Sequence, residues 1–368
     1  MTVSCADARS RPPCRQNGAF QQAGGQIRPF LARFGLRLLH RLWPRHLTVL
    51  AYHRIADPFH PDFIGLSANV SATAERFDEQ LRLLKQHFQI VSLDALLNWL
   101  SAGDPMPDYP ALITFDDGYR DMLDAALPVL CRHEAPAVLF LATDCVGSSR
   151  PFFWDLAAYC FSRTVRCEAV LPVTGHLDWS QDSSPQHALH AWLAAAKTCP
   201  AEALPQIGTA LACALEVNVP AEAFQRQHLT WDDVRTLARS GVAIGGHTQS
   251  HAILSRVLPA QARAEVAGSK QRIEAELGVP VRAFAYPNGV PGDYRLDDVE
   301  MLRREGFEAA FTLEDGPAAL SEVRRRPLEI QRTLVMANDD ALSFTAKLVG
   351  LTRFVRHVRN TYQRKLQI

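Results

Sequence analysis

Short runs of apolar, β-forming residues alternate with amphipathic helical stretches along most of this chain, and that alternation restricts the fold more than any other feature. The runs are Thr48–Tyr52, Gln89–Ser92, Ala111–Phe115, Ala137–Leu141, Val242–Ile244, Ala283–Tyr286 and Ala309–Phe311. Most are continuously apolar, as strands covered on both faces are. Between them, Glu75–His87, Leu93–Leu100, Asp121–His133, Trp231–Ser240, Gln261–Leu277 and Asp297–Glu305 repeat apolar residues at helical spacing. Strand and helix in alternation predict a parallel α/β architecture. The rhythm breaks over about 150–228, which opens on Phe152-Phe153-Trp154 and continues in Ala-rich helical segments, and so predicts an inserted helical subdomain. With 368 residues, the chain has room for one large α/β domain with appendages or for two small ones.

The ends differ from the middle. Residues 1–27 are polar and without periodicity, and predict disorder. Residues 28–43 place Phe30, Phe34, Leu38 and Leu42 on one helical face, with Arg33, Arg37 and Arg41 also at helical spacing. The tail, 341–368, is predicted helical and basic. Such helices suit an anionic membrane surface, although their apolar faces could equally pack on the domain. No secretory signal or spanning segment of about 20 apolar residues is visible, so the expectation is a cytoplasmic protein, peripheral on the inner membrane face if these ends bind lipid. Zero formal net charge gives no sign of a nucleic-acid partner. The eight cysteines include no C-x-x-C pair, and read as buried thiols in a reducing compartment.

Two motifs carry chemistry. Asp116-Asp117-Gly118 follows the strand Ala111–Phe115. Paired carboxylates at the C-terminal end of a strand would face the mouth of a barrel, one free to hold a metal and the other to act as a base. They would also serve as a helix N-cap and an exposed acid. His247 and His251 follow a strand ending in Gly245-Gly246. On a helical turn, positions i and i+4 would aim both imidazoles at one ion; a surface or capping pair is the plainer alternative. The Glu of H-E-x-x-H is missing, so the base must come from elsewhere. Two histidines and a carboxylate form a three-ligand set with open positions, suited to metal-assisted hydrolysis of an amide or ester.

Thr114-Phe-Asp-Asp-Gly118 and His247-Thr-Gln-Ser-His251 resemble the first two motifs of the polysaccharide deacetylase family, the NodB-homology or carbohydrate esterase 4 type. Leu50–Ile55, Val91–Leu96, Leu229–Val234 and Phe284–Gly289 resemble its bacterial exopolysaccharide and surface-glycan branch. The likeness covers roughly 47–340, leaving 1–46 as an arm and basic helix. It implies a distorted (β/α) barrel carrying the helical insertion. It also implies Asp116 as general base and Asp117, His247 and His251 as ligands of a divalent metal (zinc, with nickel, cobalt or iron also accommodated). The implied substrate is an N-acetylated amino sugar of a glycan or of a lipid-linked precursor. Deformylation, another amide, or a non-catalytic glycan-binding role would fit the same barrel. Tyr286, Pro287 and Asn288 fall on the substrate and oxyanion side, with the Asn288 N–H as donor.

Two departures from the family pattern stand out. Ala285 and Asn288 occupy the places of the third motif's Arg and Tyr, which leaves Arg332 as the substitute partner for the base, or as a surface arginine. The C-terminal leucine-x-histidine motif has no clear counterpart; His357 has the wrong context. His53, which ends the first strand, could protonate the leaving amine, position substrate, or be a core histidine. Trp154, beside Asp155, could stack on a sugar or belong to the core; Trp231 reads as core.

Overall fold

The computed structural model describes residues 45–180, 185–351 and 353. Seven parallel strands close a barrel: β1 (His46–Tyr52), β2 (Pro110–Phe115), β3 (Ala137–Leu141), β4 (Val242–Gly246), β5 (Ala283–Ala285), β6 (Ala309–Asp315) and β7 (Ile330–Leu334). They neighbour one another in that order, and β7 returns to pair with β1. Gln89–Ile90 extends the sheet beside β2, and Ala318–Ala319 lies antiparallel on β1.

Strand alternation sorts the side chains. Leu47, Val49, Leu112, Val138, Phe140, Ala283, Ala285, Phe311 and Ile330 fill the interior, while Leu50, Tyr52, Ile113, Phe115, Leu139, Leu141 and Phe284 meet the surrounding helices. That is why β1, β2 and β3 are buried at every position and show no polar face. Small residues keep the interior from overfilling: a Cβ on Gly245 would come within 2.5 Å of the Phe140 ring and 2.9 Å of the Ala283 carbonyl.

The outer layer contains α1 (Ala74–His87), α2 (Leu93–Ser101), α3 (Leu127–Arg132), then beyond the insertion α7 (Trp231–Arg239), α8 (Pro259–Leu277), α9 (Leu296–Arg304), α10 (Leu320–Arg325) and α11 (Ala341–Leu348). Side-chain caps set several starts. The Thr73 hydroxyl accepts the Arg76 N–H, Ser92 accepts that of Ala95, and Thr230 with Asp233 forms a reciprocal box. Each cap contributes about 1 kcal/mol. The helix expected over Asp121–His133 is divided: Met122–Ala126 is π-helical and only Leu127–Arg132 is α.

The insertion consists of α4 (Phe153–Arg163), a hairpin of Glu168–Leu171 with Gly175–Asp178, α5 (Pro185–Ala196) and α6 (Leu204–Ala214). The insertion expected as helical thus also holds a two-stranded hairpin. Glu168-Ala-Val-Leu171 alternates exposed and buried, and pairs antiparallel across a tight turn. The insertion has its own core, centred on Trp154, Tyr159, Trp179, Trp192 and Leu211. Trp231, by contrast, is only partly buried, against the barrel's outer core. The predicted N-terminal arm and basic helix lie outside the described residues, as does nearly all of the tail beyond Leu351. Among the described residues, no helix is long and apolar enough to cross a membrane.

Candidate active site

The loops at the C-terminal ends of the strands enclose a cavity of about 730 Å³ together with the insertion. Its lining includes His53, Asp116, Asp117, Trp154, His247, His251 and Asn288. Alternation in β2 carries Leu112 and Thr114 inward, so Asp116 enters the barrel at the next inward position. The chain then turns sharply. Asp117 has φ 77°, and Gly118, at φ 91°, sits in the left-handed region that favours glycine.

Asp116 is clamped by Arg332, fully buried at the inward position of β7. The two guanidinium nitrogens donate to the two carboxylate oxygens at 2.7 and 2.8 Å. The same side chain donates to the Thr312 carbonyl at 3.0 Å and the Thr114 hydroxyl at 3.2 Å. Burial pushes the Asp116 carboxyl up, but the Arg332 guanidinium and the His247 ring outweigh it and hold it below the usual carboxylate range. The group is therefore ionised, with fixed orientation.

Asp117 lies beside it, also buried, and among the described residues only the His247 and His251 rings approach its carboxylate oxygens with polar atoms. The His251 Nε2 is 3.3 Å and the His247 Nε2 3.6 Å from Asp117 Oδ1. One ligand atom from each of the three lies within 4.8 Å of the others. A carbonyl can only accept, so the 2.7 Å contact of His247 Nδ1 with the Ala285 carbonyl places the proton on Nδ1 and leaves Nε2 free to coordinate. Burial pushes the His247 imidazole down to about 4, so it is neutral at physiological pH. A buried carboxylate flanked by two imidazoles, with the His247 Nε2 lone pair free, fits a divalent cation and would be costly without one.

The helical-turn geometry expected for His247 and His251 is not what brings them together. The segment is irregular, with Thr248 at φ 64° and His251 at φ 63°. Left-handed conformations at non-glycine residues cost about 1 kcal/mol each and must be held by their surroundings. Here Glu265 accepts the N–H groups of Gln249 and Ser250, both at 2.9 Å, and the aromatic start of the insertion packs on His251.

That packing defines Trp154. Its ring lies edge-on to His251 at 4.9 Å and stacks on Phe152 at 4.4 Å. Its indole N–H donates to the Tyr119 hydroxyl at 2.8 Å, and Tyr119 donates to Asp155 at 2.7 Å. Asp155, fully buried, also accepts the Leu66 N–H at 2.8 Å. This Trp154–Tyr119–Asp155 relay was not legible in the sequence, where Trp154 reads as a sugar-stacking or a core residue; buried in the insertion core, it serves the latter.

His53 follows β1 at the cavity wall, close enough to both carboxylates to lower their pKa values. Its main-chain N–H donates to Ser71, and its ring makes no hydrogen bond among the described residues. Asn288 adopts φ 63°; its amide donates to Asp293 at 2.6 Å and its carbonyl accepts from Lys197 at 3.2 Å. Its own N–H has no acceptor among the described residues. Tyr286 is placed differently from expectation. It points outward from the barrel, stacks on Tyr294 and donates to the Leu328 carbonyl, so it does not reach the cavity. Pro287 is buried beneath the loop, where its carbonyl accepts the Gly289 N–H, and does not line the cavity either.

Comparisons with known proteins agree with this geometry. A poly-beta-1,6-N-acetyl-D-glucosamine N-deacetylase of Staphylococcus epidermidis is 34% identical over 109 residues, 27% of this chain and 37% of that protein. The protein of the same name from Escherichia coli K12 is 28% identical over 102 residues, 27% of this chain and 15% of that protein. This chain thus spans well under two thirds of either relative. Among solved structures, the Streptococcus pyogenes deacetylase PplD in complex with acetate superposes with TM-score 0.53 at 16% identity, over 83% of this chain and 99% of that one. IcaB from Ammonifex degensii does so with TM-score 0.53 at 19% identity, over 83% and 97%. At such identities these structures share the fold. The polysaccharide deacetylase family model matches residues 103–310, more than half of the chain, and this protein therefore belongs to the polysaccharide deacetylase family.

Proposed function

We propose that this protein is a metal-dependent hydrolase that removes the N-acetyl group from an amino sugar of a surface glycan or its precursor. The observation that carries this reading is the pairing of two adjacent buried carboxylates in opposite states. Asp116 is clamped by Arg332, while Asp117 is flanked by His247 and His251 with no arginine or lysine ion pair among the described residues. A binding protein has no use for both.

A divalent ion held by Asp117, His247 and His251 would supply Lewis acidity toward water and toward the acyl carbonyl. The set accepts zinc, and also nickel, cobalt or iron. Asp116 accepts a proton from the attacking water, with Arg332 fixing its orientation while limiting its basicity. As the C–O bond forms, the Asn288 N–H donates to the developing oxyanion. His53, facing the same carboxylates, delivers a proton to the amine as the C–N bond breaks. The basic terminal helices expected from the sequence would hold the enzyme on the anionic inner face of a membrane, near such precursors.

The test is to purify the wild type and Asp116→Asn, measure bound metal, and follow acetate release from N-acetylglucosamine oligomers. Metal in both and release by the wild type alone would support the reading. Loss of metal stoichiometry in Asp117→Ala or His251→Ala would support the ligand set. Metal binding with formate rather than acetate released, from formylated analogues, would replace the acetyl assignment. Neither metal nor release would sink it.

A further inference from the structure

The two imidazoles of the metal set are not held alike. The His247 ring is oriented by the Ala285 carbonyl at its Nδ1. The His251 ring has no such acceptor among the described residues. Apart from its approach to Asp117 it meets other rings edge to face: Trp154 at 4.9 Å, Phe152 at 5.6 Å and His247 at 4.8 Å. A metal-binding histidine ordinarily donates its other N–H to a group that fixes the ring. The placement of His251 must therefore come from its main chain, which is left-handed at Thr248 and again at His251.

One helix supplies what that main chain needs. Glu265, Gly268 and Ser269 lie three and four positions apart in α8, and so share a face. That face is turned to the end of β4 and the turn beyond it. A Cβ on Gly246 would come within 3.2 Å of the Ser269 hydroxyl, and a Cβ on Gly268 would run into the Gln249 side chain. Glu265 grips the turn itself. One carboxylate oxygen accepts the N–H groups of Gln249 and Ser250, both at 2.9 Å, and the other accepts the Ser250 hydroxyl at 2.7 Å. From the other side, the Thr143 and Asp144 N–H groups donate to the Thr248 and Gln249 carbonyls at 3.3 and 2.9 Å. Glu265 makes no ion pair among the described residues. It lies instead near a like charge, for burial and then Glu265 push the Asp144 carboxyl up. A carboxylate so placed is spent on the turn.

We propose that Glu265 is a positioning residue of the metal centre: by holding the turn that carries His251, it sets how tightly this site binds its ion. It acts through His251 and leaves His247 alone. The inference rests on the ligand set of the proposed function, and on nothing about the substrate.

The experiment measures zinc affinity, by competition with a chromophoric chelator, for the wild type and three variants, with the melting temperature of each metal-free protein as the check on folding. Glu265→Gln can keep all three bonds, its amide oxygen accepting the two N–H groups and its nitrogen donating to the Ser250 hydroxyl. Glu265→Asp keeps the charge and loses the reach. Glu265→Ala loses both. Alanine and aspartate should each weaken zinc by about tenfold to a hundredfold. Glutamine should stay within about fivefold of the wild type. Unchanged affinity in the alanine and aspartate variants overturns the inference. So does a loss in glutamine with none in aspartate, which would be a charge acting at a distance. Histidine-labelled NMR at saturating zinc separates positioning from general loosening. In Glu265→Asp the His251 ring signals should shift or broaden while those of His247 stay; equal disturbance of both overturns the inference. A wild type that binds no zinc would overturn the ligand set and this inference with it. Wild-type affinity in all three variants would remove the role of Glu265 and leave the ligand set standing.

Discussion

Removing the Arg332 guanidinium gives the sharpest test of how the base is held. The pair is sealed, with 0% and 1% side-chain exposure, and two parallel hydrogen bonds of 2.7 and 2.8 Å. Arg332→Met keeps much of the side-chain volume but strands a buried carboxylate and removes donors from Thr312 and Thr114. Breaking one side of such a pair costs about 3–5 kcal/mol. Asp116→Asn strands the guanidinium instead, and should cost a similar amount. The double variant strands neither charge, so its loss should fall short of the sum by about 2 kcal/mol or more. Urea denaturation of the metal-free proteins at pH 7.5, analysed with a common slope, measures all four corners. Because Arg332 and His247 hold the Asp116 carboxyl below its unfolded value, its stabilisation is present above about pH 4 and is lost as pH falls through the folded pKa. The coupling should shrink on that side. Losses that add within about 0.5 kcal/mol would refute the account, since they would mean the two charges do not see each other.

The opposite pH behaviour is expected of Asp155. Burial pushes its carboxyl up to about 6, against the pull of Arg54, Tyr119 and the Leu66 N–H. Its contribution is then fully present below about pH 4 and is lost as pH rises through about 6. The stability gap between wild type and Asp155→Asn should narrow by roughly 3 kcal/mol between pH 4 and 7.5; an equal gap at both would contradict it. Cys145 lines the cavity, yet burial pushes its thiol well up. Iodoacetamide at pH 8 should therefore modify the exposed Cys131, Cys167 and Cys213 well before Cys145, as read by peptide mapping; early loss of Cys145 would show that the wall opens.

Six of the seven barrel strands were visible as apolar runs, because burial on both faces leaves an unmistakable composition. β7 was not, since Ile330-Gln-Arg-Thr-Leu334 mixes polar and apolar residues. The alternation of Ile330 and Arg332 was the available signal; Arg332 stands as the partner for the base only because the family's third-motif arginine is missing, with a surface arginine as the alternative. That partner is 216 residues away, and no local pattern reports it. The motifs holding Asp116, Asp117, His247 and His251 were legible as residue types, while their geometry was not: left-handed turns, not a helix, bring the imidazoles together. Tyr286 shows the same limit in reverse. It sits one register position from an inward residue, which turns it away from the cavity.

The separate core of the insertion has an evolutionary consequence. Trp179, Trp192 and Leu211 pack among themselves, apart from the residues that fill the barrel. Substitutions on the inner faces of α5 and α6 can therefore be absorbed locally, without disturbing the strands that align Asp116 and Arg332. The Trp154–Tyr119–Asp155 relay, the contacts on His251 and the Lys197–Asn288 hydrogen bond are among the links that bind the two together. Such a chain can change what it recognises while the strands carrying Asp116, Arg332 and the histidines stay fixed, and a graft of this segment onto a related barrel should transfer selectivity provided Tyr119 and Asp155 travel with it.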